Sequence, residues 1–162
     1  MAPVPTGALA GRPPLRALTL SLCVGLLAPA APAQTEGEAL DRAMADALAQ
    51  AGAARPLLRC TGLFRALRLH PAAPDGSAAG AALREADLAT TAAVIWQDEA
   101  GMAEIQAAFD AIVPMIGAAS AVYQRRMSRN AETTGGIFDA ELEDDLIYCD
   151  ALHAGLAAPR GD

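Results

Sequence analysis

Cys60 and Cys149 each lie on the apolar stripe of a separate helical segment, and this constrains the fold more than any other feature of the chain. Leu57, Cys60, Phe64 and Leu67 recur at steps of three and four, as do Leu142, Leu146, Cys149, Leu152 and Leu156. That spacing gathers side chains on one face of an α-helix, and such faces are stable only when buried. Packing the two helices together therefore sets the sulfurs opposite one another. Closing a loop of about 90 residues in this way stabilises a fold by roughly 2–5 kcal/mol through chain entropy, less any strain. A redox-active pair is the weaker reading, because there is no C-x-x-C spacing and neither cysteine sits at a helix start.

The rest of the chain is patterned in the same way. Leu40, Met44, Ala47 and Leu48 predict a first helix over about Glu38–Gly52. Pro56 suits the first turn of the second helix, where a missing N–H costs nothing, and that helix ends near His70-Pro71 with Arg59, Arg65 and Arg68 off its stripe. Pro71–Gly80 is a loop by composition, in which Asp75 or Ser77 is positioned to cap a third helix over about Ala79–Gln97. After a break at Gly101 comes the clearest periodicity: Met102, Ile105, Phe109, Ile112, Ile116, Ala119, Tyr123 and Met127. Pro114 lies off this stripe and is expected to kink the helix. Asn130–Gly136 reads as a turn, with Arg125, Arg126 and Arg129 just before it, where a helix dipole favours cations. Asp139 then caps a last helix whose first turns hold Glu141, Glu143, Asp144 and Asp145. No strand-like alternation of useful length interrupts the pattern. The fold class expected is all-α, a bundle of four to five helices with one inter-helix disulfide.

Residues 1–33 read as a cleaved secretory signal peptide. Arg12 and Arg16 precede a short apolar run, Ala17–Ala28, and Ala31-Pro32-Ala33 supplies the small residues of a cleavage site. Lipid attachment at Cys23 is disfavoured, because Leu22 stands where that peptidase needs Gly or Ala. The run is shorter than the roughly 20 residues of a membrane span, and recurring charges argue against a later one. Cleavage removes Cys23 and leaves residues 34–162 as a single helical domain with an even cysteine count. Ten arginines then face 19 acidic groups, a formal charge of about −9. That balance disfavours nucleic acid and anionic membrane surfaces as partners, because their phosphates would repel it. An alanine- and arginine-rich chain with no lysine has the usage of a GC-rich bacterial genome, so export points to the periplasm. Two cysteines in that oxidising compartment favour a structural bridge.

No catalytic, cofactor-binding or metal-binding set emerges from the residues. Cys149 and His153 share a helical face, but a bridged cysteine cannot ligate and one remaining histidine is not a site. The spacing Cys149-Asp150-Ala151-Leu152-His153 is not that of haem attachment. The run Asp139–Asp145 lacks the layout of a calcium loop. Ser77, Ser120 and Ser128 have no nucleophile-elbow context, and neither His70 nor His153 is expected beside them. The methionines Met44, Met102, Met115 and Met127 read as core filling. Trp96, Tyr123 and Tyr148 do so too, ahead of lining a pocket between helices.

The segment Tyr123–Cys149, with Arg126, Asn130, Thr134-Gly135, Asp139, Asp145-Leu146 and Cys149, together with Cys60-Thr61-Gly62-Leu63-Phe64, resembles small exported two-cysteine proteins of GC-rich bacteria. The resemblance implies an exported helical domain with a bridged pair and no particular activity. The function expected is non-enzymatic: binding an envelope protein or small ligand in the periplasm. The most polarised surface is Arg125, Arg126 and Arg129 against Asp139, Glu141 and Asp144, flanking one turn. The alternative is a small periplasmic acid-stress chaperone, in which carboxylate protonation loosens the bundle.

Overall fold

In the computed structural model, which describes residues 36–157, the chain forms five α-helices and no strand among the described residues. These are α1 (Glu36–Ala47), α2 (Arg55–Leu69), α3 (Ser77–Ala100), α4 (Ile105–Thr134) and α5 (Ala140–Ala157), with a 3₁₀ turn at Gly52–Ala54 leading into α2. All lie within one compact unit, Ala33–Asp162. The expected signal peptide, residues 1–33, and its expected cleavage site lie outside the described residues.

The centre of the bundle is α2, which packs on α3, α4 and α5. Its buried residues include Leu57, Leu58, Leu63, Phe64 and Leu67, together with Cys60, Thr61 and Gly62, so it is covered on most of its circumference. The arginines off the stripe, Arg59, Arg65 and Arg68, are half-buried and each is ion-paired. The crossing of α2 over α4 is close because residue 62 is glycine. A Cβ placed there would lie 2.6 Å from Ala119 Cβ and 3.0 Å from the Ser120 amide nitrogen. Only a residue without a side chain fits.

The Cys60–Cys149 disulfide joins α2 to α5, with Cα atoms 5.3 Å apart, and both cysteines are fully buried. It closes a loop with a sequence separation of 89. Apolar burial on α5 is otherwise slight: Leu142 is fully covered and Leu146 and Leu152 partly, while Ile147, Tyr148 and Leu156 are exposed.

Several boundaries differ from the sequence pattern for identifiable reasons. The first helix stops at Ala47 rather than Gly52: the Ala49 and Ala51 N–H groups bond to carbonyls only three residues back, and Gly52, with a left-handed φ of 50°, begins the 3₁₀ turn. Both Oε atoms of Glu99, in the last turn of α3, then accept the Ala53 N–H at 3.0 and 3.1 Å. That carboxylate satisfies an orphan donor at the start of the 3₁₀–α2 segment. Neither Asp75 nor Ser77 caps α3; the cap position is Gly76, without a side-chain bond. Asn130–Thr134 continues α4 instead of forming a turn. Thr133 and Thr134 hydroxyls donate to the Arg129 and Asn130 carbonyls at 2.8 and 2.9 Å, and the helix ends only at Gly135, φ 79°. Pro114 lies within α4, which runs through it; Pro114 and Asp110 are both exposed, so the carbonyl deprived of a donor faces water.

Recurring charges argue against a later membrane-length segment, yet by length and composition α4 is the one described helix long and apolar enough to cross a bilayer. Its 18-residue apolar window carries no more than two charges. Here α4 packs on α1, α2 and α3 and buries Ile112, Ile116, Tyr123 and Met127 among them. It also buries Arg126 and Asn130, which are costly in lipid.

Candidate binding site

Charge clusters join the helices, and they decide which arginines are committed to the fold. The first links four elements. Arg59 Nη2 of α2 lies 2.9 Å from Asp145 Oδ1 of α5 and 3.1 Å from Asp41 Oδ1 of α1. The Tyr123 hydroxyl of α4 donates to Asp145 Oδ2 at 2.6 Å and accepts from Arg59 Nε at 3.2 Å. Burial, then the Asp145 charge, hold the Tyr123 phenol well above its ordinary range, so it stays neutral and acts as a donor. With its ring fully buried, this tyrosine is a fastening of the core.

The second cluster closes the α4–α5 connection. Arg126, only 4% exposed, pairs through Nε with Asp139 Oδ2 at 2.6 Å and through Nη2 with Glu141 Oε2 at 3.0 Å. Asn130 Nδ2 donates to Asp139 Oδ2 at 2.7 Å and to the Ile137 carbonyl at 3.2 Å. The other Asp139 oxygen accepts the Leu142 N–H at 3.0 Å, the N-cap bond expected from the sequence. Burial works against the Asp139 charge, but the Leu142 N–H, Arg126 and Asn130 outweigh it and hold its pKa below the usual range.

The third sets Glu85 of α3 between two arginines of α2, with Arg65 Nε on Oε1 at 2.7 Å and Arg68 Nε on Oε2 at 2.8 Å. Elsewhere Arg84 Nε lies 2.7 Å from Asp150 Oδ1 without hydrogen-bond alignment, and His153 Nε2 lies 2.9 Å from Asp87.

The surface expected from sequence is therefore divided. Arg126 is buried and turned onto Asp139 and the part-exposed Glu141, so its charge is engaged across the α4–α5 connection. Asp144 lies exposed beside Asp41, Arg59 and Asp145. Of the surface's three arginines, Arg125 and Arg129 face outward. They border a groove of about 520 Å³ between α1 and α4, with Leu40, Ala43, Val122 and Ser128 in its wall and, among the described residues, no acidic side chain in its lining. Among the described residues neither has an ionic partner. The dipole reason for these cations also falls away. Because α4 continues to Thr134, no basic residue lies in its last turn, where the dipole acts.

Two other expectations change. Ser128 does meet a histidine: His70 Nε2 lies 3.4 Å from its Oγ. His70 Nδ1 accepts the Ala72 N–H at 3.2 Å, so the ring proton sits on Nε2 and points at the serine. A general base needs the opposite tautomer. Tyr148 is not core but 49% exposed, whereas Tyr123 is fully buried and Trp96 partly so. Met44 and Met127 are core; Met102 and Met115 are partly buried against it. No group of three or more His, Cys, Asp or Glu side chains among the described residues is arranged to hold a metal ion.

No family model, curated protein or solved structure matches this chain.

Proposed function

We propose that this chain is an exported, periplasmic, non-enzymatic helical protein that binds an acidic segment of an envelope protein through the α1/α4 groove. The observation that carries this reading is the pair Arg125 and Arg129. In a chain of net charge −7, they stand exposed one helical turn apart beside an apolar wall, without a carboxylate in the lining among the described residues. Like charges at that spacing destabilise a helix by about 0.2–0.5 kcal/mol, a repulsion that an anion from outside the fold would relieve. Arg59, Arg65, Arg68, Arg84 and Arg126 are all matched to carboxylates internally. Export is supported by the n-region, apolar run and small-residue site of residues 1–33. The buried disulfide is consistent with an oxidising compartment.

The test is site-directed photocrosslinking from position 128 in intact cells, with R125E/R129E in parallel. The expected result is an envelope protein cross-linked by the parent chain and lost on charge reversal, with an unchanged melting curve. A cross-link that survives charge reversal overturns the reading.

A second reading, the acid-stress chaperone, is favoured by the way α5 is attached. Apart from the disulfide and a few apolar contacts, it is held by Asp139 and Glu141 on Arg126, Asp145 on Arg59, Asp150 on Arg84 and His153 on Asp87. Its test is near-UV circular dichroism at pH 2–3 with a client-aggregation assay. Intact tertiary signal at that pH would exclude it.

A further inference from the structure

We propose that the groove between α3 and α4 binds a small amphiphile with one carboxylate head and a hydrocarbon tail. The site is separate from the α1/α4 groove and does not depend on it. Its apolar wall is made by Ala86 and Ala89 of α3 with Phe109, Val113 and Ile116 of α4. At one end stand Arg65, Arg68 and Glu85. The volume, about 400 Å³, lies in the range of small-molecule pockets, which is roughly 300–1,000 Å³. Alanines keep the α3 side low, while Val113, 48% exposed, leaves apolar surface in water that a hydrocarbon tail would cover.

Charge identifies the head group. Glu85 is one carboxylate between two guanidinium groups, and no other acidic side chain lines the groove, so the cluster carries one surplus positive charge. The other clusters have the opposite balance: Arg59 is shared by Asp41 and Asp145, and Arg126 by Asp139 and Glu141. Each arginine reaches Glu85 through Nε, with no second ionic partner among the described residues for its terminal nitrogens. A guanidinium presents five donors in a planar fork, so the unused nitrogens suit a second, planar carboxylate. Glu85 is 8% exposed and holds both forks in place, so little freedom is lost on binding. One surplus charge is matched by a monoanion, and the apolar wall selects one with a tail.

The experiment is isothermal titration calorimetry of the exported protein in its oxidised form with decanoate, decanol and decyltrimethylammonium, each below its aggregation concentration. Decanoate is expected to bind saturably at one site, at least about tenfold more tightly than decanol, with no binding of the cation. R68Q leaves Glu85 paired with Arg65 and is expected to weaken decanoate about tenfold or more. V113D, an exposed change that opposes both tail and head, does the same, whereas R125Q/R129Q has no effect. Absence of saturable decanoate binding, equal affinity for decanol, or retained affinity in both R68Q and V113D would overturn the proposal. Loss of binding in R125Q/R129Q alone would also overturn it, by moving the site to the other groove.

Discussion

Replacing Gly62 by alanine should destabilise the bundle even though alanine is the better helix former. At 2.6 Å from Ala119 Cβ and 3.0 Å from the Ser120 nitrogen, the added methyl is about 1 Å inside the ordinary carbon contact of roughly 3.5–4.0 Å. Ser120 N is backbone, so no rotamer change relieves it, and α2 and α4 must separate. Overpacking of this kind costs about 1–3 kcal/mol, and the intrinsic gain of alanine over glycine in a helix offsets about 0.5–1. The net expectation is a loss of about 1 kcal/mol, and at most about 2.5. Gly117 supplies the control on α4 itself: a Cβ there meets nothing within 4 Å, so G117A should gain about 0.5–1 kcal/mol. Urea melts of the oxidised proteins followed by far-ultraviolet circular dichroism should show the two midpoints moving in opposite directions with unchanged slopes. A G62A protein as stable as the parent, or stabilised like G117A, would refute the close crossing.

Acid should weaken the fold in a defined window. Glu85 and Asp139 have pKa values held below their ordinary values, although burial opposes their charge in both cases: Glu85 by Arg68 and Arg65, and Asp139 by the Leu142 N–H, Arg126 and Asn130. A depressed carboxylate contributes stability that is present above its unfolded pKa of about 4 and is lost as pH falls through the folded value. Urea midpoints should therefore be flat from pH 7 to about 5 and fall below that; a midpoint unchanged at pH 3 would contradict the ion-pair assignments. Y123F keeps the ring volume but removes the hydroxyl between Arg59 and Asp145, and should cost about 1–2 kcal/mol by the same melts. A neutral result would mean that Arg59 alone satisfies Asp145.

Burial of α2 on most of its surface was only half legible. The stripe Leu57, Cys60, Phe64 and Leu67 is a local pattern, and it marks one face. Leu58, Thr61, Gly62 and Ala66 are covered because α3 and α4 close over the remaining sides, which no periodicity within α2 records. The candidate surface fared similarly. Position alone groups Arg125, Arg126 and Arg129, but successive residues on a helix point about 100° apart, so Arg126 turns inward to Asp139 while its neighbours stay outside. Arg65 and Arg68 could have been suspected from their off-stripe places on α2; their convergence on Glu85 of α3 could not.

What the sequence determined by itself is what local chemistry decides. Apolar spacing of three and four made the helices, Asp139 capped α5, Pro56 sat in the first turn of α2, and two stripes each holding a cysteine paired α2 with α5. The tertiary structure decided which polar groups are spent inside the fold and which face out, and how closely α2 and α4 approach at Gly62. Those outcomes depend on distances between residues far apart in the chain. A charge or a glycine looks the same in sequence whether its partner is water, a carboxylate from another helix or the backbone of one crossing it.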